Sequence, residues 1–462
     1  MQTIVQPISA GGKRLPFMKA RASDLWENAV SSLWFVPTLF VAGAVILSFA
    51  LLYVDENILT DLGASDGLLF GGTAGAARSL LSTIATSLIT VVSVAFSIAI
   101  VALQQASTQY SPRVLRNFTS DRGSQVVLGT YIATFVYALL IMRGVREAAG
   151  GQTAFVPTLS VSVAVVLALV SAGMLVYYIS HISTLLQVSS ILSSLSQGLH
   201  KEIDTLFPGQ FGRESEEPRD PATLVESMVK DRRGRESVVR SESAGYLRSI
   251  DEGQLEKATR NVHLMWVLPG VGDYLLHGSV LARVWSERPL DSDQQDEVRA
   301  SFVLDQTRSI YQDPLFGIRQ MVDIGVKALS TGINDPTTAE ESLSSLADVV
   351  THLLEKEFPS PLRQSDRGTL YLFSRPGFPD FVDASFSQIR RAARNDLHVT
   401  LYLLDVLGKL AEEVPNTERA LPLRRQVEEI LAALDSTAFI QKERQSVRDR
   451  ARDVLAALDR VR

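Results

Sequence analysis

The sequence predicts a mainly α protein: a four-span transmembrane helical domain followed by a cytoplasmic small β module and a helical domain. The first observation is the distribution of charge, since residues 1–200 hold 18 charged side chains and residues 201–462 hold 78. The second is a set of four long uncharged runs in the first part. The third is a change from short β-prone runs to helical periodicity near residue 291.

The four uncharged runs are residues 31–54, 79–103, 124–142 and 155–179. Crossing ~30 Å of hydrocarbon at 1.5 Å per residue takes about 20 residues, so each run is long enough to span a bilayer. The runs predict a four-helix transmembrane domain over residues 31–200, after an N-terminal tail of residues 1–30. We expect the fourth span to extend into the cytoplasm as a helix, because residues 181–200 keep an apolar stripe.

Basic residues predict the orientation of the spans. The N-terminal tail carries four lysines and arginines, and the loop after the second run carries Arg113, Arg116 and Arg122. Residues 55–78, between the first two runs, hold four acidic residues against Arg78 alone. The positive-inside rule therefore predicts that both termini lie in the cytoplasm.

The second span carries a regular stripe of polar, uncharged side chains. Its serines and threonines recur at three- and four-residue steps, which places them on one helical face. Such a stripe suits the wall of a water-filled pore. Serine and threonine are equally typical of tight contacts between membrane helices, so packing remains the alternative interpretation. The candidate pore-lining residues are Ser79, Thr83, Thr86, Thr90, Ser93, Ser97, Gln104 and Thr108.

Two arginines follow the second span at the expected headgroup level. Arg113 and Arg116 come directly after Pro112 and are candidates for contact with lipid phosphates or another anion. Their alternative role is to set the topology of the chain. None of the four runs contains an ionisable side chain, which argues against a proton-driven transporter.

The second half of the chain divides by composition. Residues 201–244 read as a charged linker, because prolines and glycines are scattered among mixed charges. Residues 245–290 predict a small β-barrel-like module, because short β-prone runs alternate with glycine and proline turns. Residues 291–462 predict a helical cytoplasmic domain.

One stretch of this helical domain carries a candidate site. We expect Gly332 to end a helix in a left-handed conformation, and Asp335 and Pro336 to begin the next one. Helix capping and a solvated charged face explain the polar residues here, and a ligand or ion site is the competing interpretation. The residues of this cytoplasmic motif are Asp313, Arg319, Asp323, Asn334 and Asp335.

Several classes of function lack support in the sequence. There is no phosphate-binding glycine loop, no zinc-protease or serine-hydrolase motif and no cysteine. We therefore expect no enzymatic activity, no cofactor and no metal site. Residues 201–462 hold 35 basic and 43 acidic side chains, which argues against nucleic acid as a partner.

Two segments are similar to the signatures of a known family. Residues 101–118 (VALQQASTQYSPRVLRNF) and residues 332–339 (GINDPTTA) resemble a widespread bacterial family of predicted integral membrane proteins with a domain of unknown function. The resemblance extends over about residues 25–430, and Thr331 replaces an expected proline. It implies a multi-pass protein of the bacterial inner membrane, without a settled activity.

Two functions are compatible with these features. The first is an oligomeric inner-membrane channel or pore for ions or small solutes, with the second span lining the path and the cytoplasmic domain assembling or gating it. Its partners would be the lipid bilayer and further copies of the chain. The alternative is a non-conducting membrane scaffold or sensor whose helical cytoplasmic domain binds partners.

Overall fold

The computed structural model describes residues 34–59, 70–109, 121–147, 154–207, 213–214, 235–260 and 262–461. The predicted N-terminal tail lies outside these ranges, as does the greater part of the predicted linker. The chain forms two compact units, and the boundary between them falls between Gln187 and Val188.

The first unit consists of four apolar helices, each long enough to cross a membrane. The four predicted spans are therefore confirmed as helices. The first ends in a π-helical turn, Asp55–Leu59, and the second begins five residues before the predicted run and contains Arg78. The helices are α1 (Phe35–Val54), α2 (Ala74–Gln109), α3 (Arg122–Gly144) and α4 (Thr158–Leu185).

Helix α3 is the centre of the first unit. In its most apolar stretch 61% of the residues are buried, whereas the corresponding share in the other three helices is 17–28%. Tyr131, Tyr137 and Ile141 of α3 are fully buried. The hydroxyl of Tyr137 donates to the carbonyl of Ser160 on α4 at 3.0 Å, and that of Tyr178 on α4 donates to Ala95 O on α2 at 3.2 Å. These hydrogen bonds link the helices at defined positions, because hydrocarbon offers a hydroxyl no other partner.

A buried carboxylate begins the fourth helix. The N-cap residue of α4 is Pro157, whose side chain has no hydrogen-bonding group. Asp55, 3% exposed, takes over this role from the end of the first span. Its carboxylate accepts hydrogen bonds from the backbone N–H of Leu159 at 3.0 Å and of Ser160 at 2.9 Å, and from the Ser160 hydroxyl. The cap satisfies donors that would otherwise be orphaned at the helix start.

The second unit begins with helix α5 (Val188–Leu206), which differs from the predicted continuation of the fourth span. The helix α4 stops at Leu185, and α5 starts after an interruption of two residues. The apolar stripe that suggested one continuous helix is real, and it includes the buried residues Leu192, Leu195 and Leu199. It packs inside the second unit, so the transmembrane unit ends near residue 187 rather than 200.

The β region is larger than the predicted module. A six-stranded sheet has the order β1-β8-β9-β4-β6-β2, and a three-stranded sheet has the order β5-β3-β7. All pairs are antiparallel except β4 with β9. The strands are β1 (Arg213–Glu214), β2 (Arg235–Arg240), β3 (Gly245–Ile250), β4 (Val262–Val267), β5 (Tyr274–Leu275), β6 (Val280–Ser286), β7 (Phe302–Asp305), β8 (Leu362–Gln364) and β9 (Leu370–Phe373).

Strands β7, β8 and β9 therefore lie inside the region predicted to be wholly helical. They contain only three or four residues each, which is too short for an alternating pattern to be recognised in the sequence. Two short helices accompany the sheets, α6 (Glu252–Ala258) and α7 (Ser292–Arg299).

The remaining chain is a helical bundle, as predicted. At the turn before α9, the left-handed residue is Asn334, with φ 49°, and the assignment of this conformation to Gly332 is wrong. The amide N–H of Asn334 donates to Ser330 O and closes the turn. The helices are α8 (Pro314–Ala328), α9 (Pro336–Leu354), α10 (Phe378–Ala392), α11 (Leu397–Glu413), α12 (Thr417–Ala433) and α13 (Gln441–Leu458).

Helix α5 docks on α8 and α9 of this bundle. Gly317 on α8 permits the close approach, because an added Cβ there would lie 2.6 Å from Leu199 Cδ2. Leu343, Leu346 and Val350 on α9 are fully buried. The helix that follows the membrane spans in the chain is thus part of the core of the second unit.

Replacing Asp55 with alanine should lower the free energy of unfolding by about 2–4 kcal/mol, because three donors at the start of α4 lose their acceptor. The matched control is Glu56→Ala, which removes an exposed ion pair with Arg146 (N···O 3.1 Å) and should cost less than about 1 kcal/mol. Thermal unfolding of the two purified variants in detergent compares them. Equal losses would contradict the capping role of Asp55.

Candidate functional site

The hydroxyl stripe of α2 lies on the outer surface of the first unit. Every predicted pore-lining residue from Ser79 to Ser97 is exposed. The opposite face of α2 is buried in the core of the first unit, where Ala77, Leu81 and Ala95 are fully buried. The stripe is therefore not a packing surface between the helices of one chain.

The stripe hydroxyls are bonded to the helix that carries them. Thr83 Oγ1 donates to Ser79 O at 2.8 Å, and the hydroxyls of Thr90, Ser93 and Ser97 make the same four-residue contact at 2.9–3.0 Å. Each donor is thereby satisfied, while the oxygen keeps acceptor capacity on the exposed side. The stripe can accept hydrogen bonds from water or from another molecule.

Two apolar residues interrupt the stripe near its end. Ile100 and Val101 are 56% and 63% exposed and lie on the same helical face, three and four residues after Ser97. Gln104 follows them and is exposed. Thr108 belongs to α2, but its side chain is outside the described part of the chain, as are Arg113 and Arg116.

A hydrogen bond between side chains and a ring contact lie at the start of α3. Asp121 caps α3 by accepting a hydrogen bond from Ser124 N at 2.7 Å. His181 Nε2 on α4 lies 2.8 Å from Asp121 Oδ2, and Tyr177 stacks on the imidazole with the ring centroids 5.3 Å apart. This contact links the start of α3 to α4.

In the second unit, Asp313 forms a closed ion pair. Its carboxylate is 4% exposed and accepts from Arg308 through both oxygens, with N···O distances of 2.7–3.0 Å. It also accepts from Phe316 N at 3.1 Å and so caps α8. Burial raises the pKa of Asp313, and the guanidinium of Arg308 opposes this effect by stabilising the charged form.

Gly272 makes room for this ion pair. Its φ is 96°, and an added Cβ would lie 2.5 Å from Asp313 Oδ2 and 2.6 Å from Arg308 Nη2. The glycine turn of the β region thus packs directly on the start of α8. No local sequence pattern predicts this contact, because the turn and the carboxylate are 41 residues apart.

The residues of the predicted cytoplasmic motif do not form one site. Asp313 caps the start of α8, whereas Asp335 caps α9 by accepting from Thr338 N at 3.1 Å. The two aspartates lie at opposite ends of a 15-residue helix, about 22 Å in length. Arg319 pairs with Asp323 at 3.0 Å on the flank of that helix, and Asn334 forms the turn before Asp335. Asp313 and Asp335 are both N-caps, in agreement with the capping interpretation of these two residues.

The two caps share one local pattern. Gln312 and Asn334 both have positive φ, at 55° and 49°, and each precedes an aspartate N-cap and a proline in the first turn. The left-handed residue reverses the chain, the aspartate accepts the free N–H groups, and proline at this position loses no hydrogen bond.

A histidine pair is a feature that the sequence did not predict. His200 on α5 and His352 on α9 have ring centroids 4.5 Å apart. His352 Nε2 lies 2.8 Å from Asp204 Oδ1, and His200 Nε2 lies 3.2 Å from Asp348 Oδ2. Hydrogen bonds from Lys356 and His352 lower the pKa of Asp204. Nevertheless, the described residues contain no group of three or more metal-ligating side chains able to hold an ion.

The chain belongs to a family described as "Predicted membrane protein (DUF2254)", whose model matches residues 30–409. It is similar to the uncharacterized proteins Rv1290c of Mycobacterium tuberculosis and Mb1321c of Mycobacterium bovis. Each is 28% identical over 429 residues, which is 90% of this chain and 78% of the relative. No solved structure matches the chain. The family and the four apolar helices identify a membrane protein of unknown function, and the resemblance seen in the sequence is confirmed.

Replacing Gly272 with alanine should disturb the Arg308–Asp313 pair, and Gly278→Ala is the matched control. Both glycines have positive φ, at 96° and 83°, so both alanines carry a left-handed cost of about 1–2 kcal/mol. Only the Cβ at position 272 meets other atoms. We expect Gly272→Ala to reduce the free energy of unfolding by about 2 kcal/mol more than Gly278→Ala. Denaturant melts of the purified proteins measure this difference, and equal effects would refute the packing argument.

Proposed function

We propose that the protein forms an oligomeric pore for ions or small solutes, in which α2 lines the path. The observation that supports this function is the reversed polarity of α2: its apolar face is buried in its own unit, and its hydroxyl face is exposed. One helix cannot enclose a conduit, so the pore requires further copies of the chain with their stripes facing a common axis.

The chemistry of the stripe suits small hydrated species. Hydroxyl oxygens can replace part of the hydration shell of an ion, and the acceptor capacity of Thr83, Thr90 and Ser93 faces outward. The face carries no ionisable side chain from Ser79 to Gln104. Such a path would be passive, because coupling to protons generally requires a titratable group within the membrane.

Ile100 and Val101 supply a natural constriction for such a path. Their exposed side chains would form an apolar ring where copies of α2 meet, between the hydroxyl stripe and Gln104. Apolar rings close pores by expelling water. We place this ring on the cytoplasmic side, with both termini in the cytoplasm of a bacterium and the spans in the inner membrane, on the basis of the basic loops. The C-terminal unit would then assemble or gate the pore.

The alternative function is a non-conducting scaffold or sensor. It is favoured by the hydrogen bonds of Thr83, Thr90, Ser93 and Ser97 to their own helix, because a hydroxyl whose donor is satisfied is tolerated against lipid. The two functions differ in whether water reaches the stripe.

Cysteine accessibility separates these functions, and the chain contains no native cysteine. Cysteines at Thr86, Thr90, Ser93 and Ser97 should react with a charged, membrane-impermeant thiol reagent if the stripe is wetted, because only the thiolate reacts. Leu88, 6% exposed, serves as the buried control, and Leu169 on α4, 69% exposed, serves as the lipid-facing control. Stripe cysteines as unreactive as the one at Leu169 would contradict a pore.

Substituting serine for Val101 tests the constriction. A hydroxyl in the apolar ring should stabilise water there, so Val101→Ser should raise the conductance or the open fraction in planar bilayers. The matched control is Val176→Ser on α4, which is also exposed, at 72%, and which we place against lipid. Purified protein that gives no current above that of protein-free bilayers, with or without Val101→Ser, would favour the scaffold.

A further inference from the structure

A polar cavity in the second unit lies among helices α8, α10 and α12. Its volume is about 660 Å³. Four arginines line it, together with the carboxylates of Asp383 and Glu429. The arginines are Arg319 on α8, Arg390 and Arg391 on α10 and Arg425 on α12. Three of these arginines have a carboxylate partner, since Arg319 pairs with Asp323 beside the cavity, and the group keeps an excess of one positive charge although residues 201–462 are acidic as a whole.

The floor of the cavity is held by a buried amide. Gln426 on α12 is fully buried, and its Oε1 accepts from Arg390 Nε at 3.1 Å. Its Nε2 donates to Asp383 Oδ1 at 2.7 Å and to Ser387 Oγ at 3.0 Å. Arg390, whose side chain is 12% exposed, also contacts the carboxylate of Glu429. The charged groups of the floor are thus fixed before any ligand arrives.

The arginines of the rim use few of their donors within the protein. Arg391 Nε donates to Ser387 O at 3.0 Å, and within the described chain its terminal nitrogens have no partner. Arg319 pairs with Asp323 on its own helix at 3.0 Å. Arg425 contacts Asp383. A guanidinium has five N–H donors, so the rim keeps unused donor capacity directed by three different helices.

We propose that this cavity binds a small molecule that carries two or more phosphate groups. A planar guanidinium matches two oxygens of one phosphate, and arginines on three helices can engage more than one such group. The remaining positive charge and the unused guanidinium donors favour an anionic ligand. The volume falls within the range of small-molecule sites, roughly 300–1,000 Å³.

Burial supports the choice of an anion. The pKa of Arg390 is lowered, because desolvation and the neighbouring guanidinium of Arg391 together disfavour the charged form more than Glu429 favours it. A bound phosphate would add a second counter-charge beside this guanidinium. An ion-pair network that served only to join α10 and α12 would need no additional cation from Arg391.

The test is calorimetric titration of the full-length protein in detergent with inorganic pyrophosphate as the probe. Wild type should bind it, and Arg319→Gln and Arg391→Gln should each weaken binding by about tenfold, since each removes charge-assisted hydrogen bonds. Arg452→Gln is the matched control: it removes the same charge from an exposed site on α13, outside the cavity. Equal melting temperatures without the probe verify that the variants are folded.

Two results would overturn the proposal. One is the absence of pyrophosphate binding to wild type at millimolar concentration. The other is an equal loss of affinity in Arg452→Gln, because that outcome would indicate general counter-ion attraction rather than a site.

A second arm identifies the source of the phosphate. The titration is repeated in nanodiscs with and without cardiolipin, whose headgroup carries two phosphates. Cardiolipin that competes with pyrophosphate would weaken pyrophosphate binding in the nanodiscs that contain it. If this weakening is absent in Arg391→Gln, the result would support the cavity with a lipid headgroup as its ligand. Unchanged pyrophosphate affinity in both nanodiscs would support the cavity with a soluble phosphorylated compound.

Discussion

In hydrocarbon, every polar group must find its partner within the protein, and this constraint governs the first unit. Tyr137 and Tyr178 carry hydroxyls into the bundle, and each hydroxyl meets a backbone carbonyl of a neighbouring helix. Asp55 meets two backbone N–H groups and a hydroxyl at the start of α4, where proline can offer no cap. The exposed hydroxyls of α2 likewise donate to carbonyls of their own helix. The polar contacts of this unit are therefore structural necessities, and they define how the helices meet.

The exposed stripe of α2 is an exception, because its hydroxyl oxygens keep acceptor capacity that no other described group of the unit uses. A donor bonded within the helix satisfies only half of the hydroxyl, and the acceptor side remains on a surface 19 residues long, from Ser79 to Ser97. Ordinary lipid-facing surfaces of this unit look different: Leu169 and Val176 on α4 and Ile46 on α1 are large, apolar and about 70% exposed. The exposed face of α2 carries Ile89 and Val94 as well, at 46% and 50% exposure, but hydroxyls recur along it at every turn, and we take this difference from α4 as support for a different environment. This contrast, rather than the presence of serine and threonine alone, is the physical basis of the proposed pore.

Local patterns were sufficient to predict the spans, the common face of the stripe and the cap at Asp335, since each depends on residues a few positions apart. Contacts between distant segments were not predictable. Asp55 reaches Leu159 across 104 positions, and β4 pairs with β9 through Leu264 and Leu370. The stripe is an example of this limit. Periodicity predicts that its residues share one helical face, but whether that face is exposed depends on how the helices pack around α3, which is the most buried of the four. The interruption at Leu186 and Gln187 was equally hidden, because the apolar pattern continues across it.

The two arginine–carboxylate groups of the second unit show how a structural ion pair differs from a binding site. Asp313 and Arg308 match one cation to one anion, and both carboxylate oxygens and the capped N–H are engaged, so nothing remains for a ligand. The cavity around Arg390 has the same chemical parts in another ratio, four guanidinium groups to three carboxylates when Asp323 is counted with Arg319, arranged around a buried amide. Arg391 has no carboxylate partner within the described residues, and its exposed guanidinium keeps donors for a ligand. The sequence offered Arg319 and Asp313 as members of one motif. The structure separates them: Asp313 completes the closed pair, and Arg319 lines the open cavity.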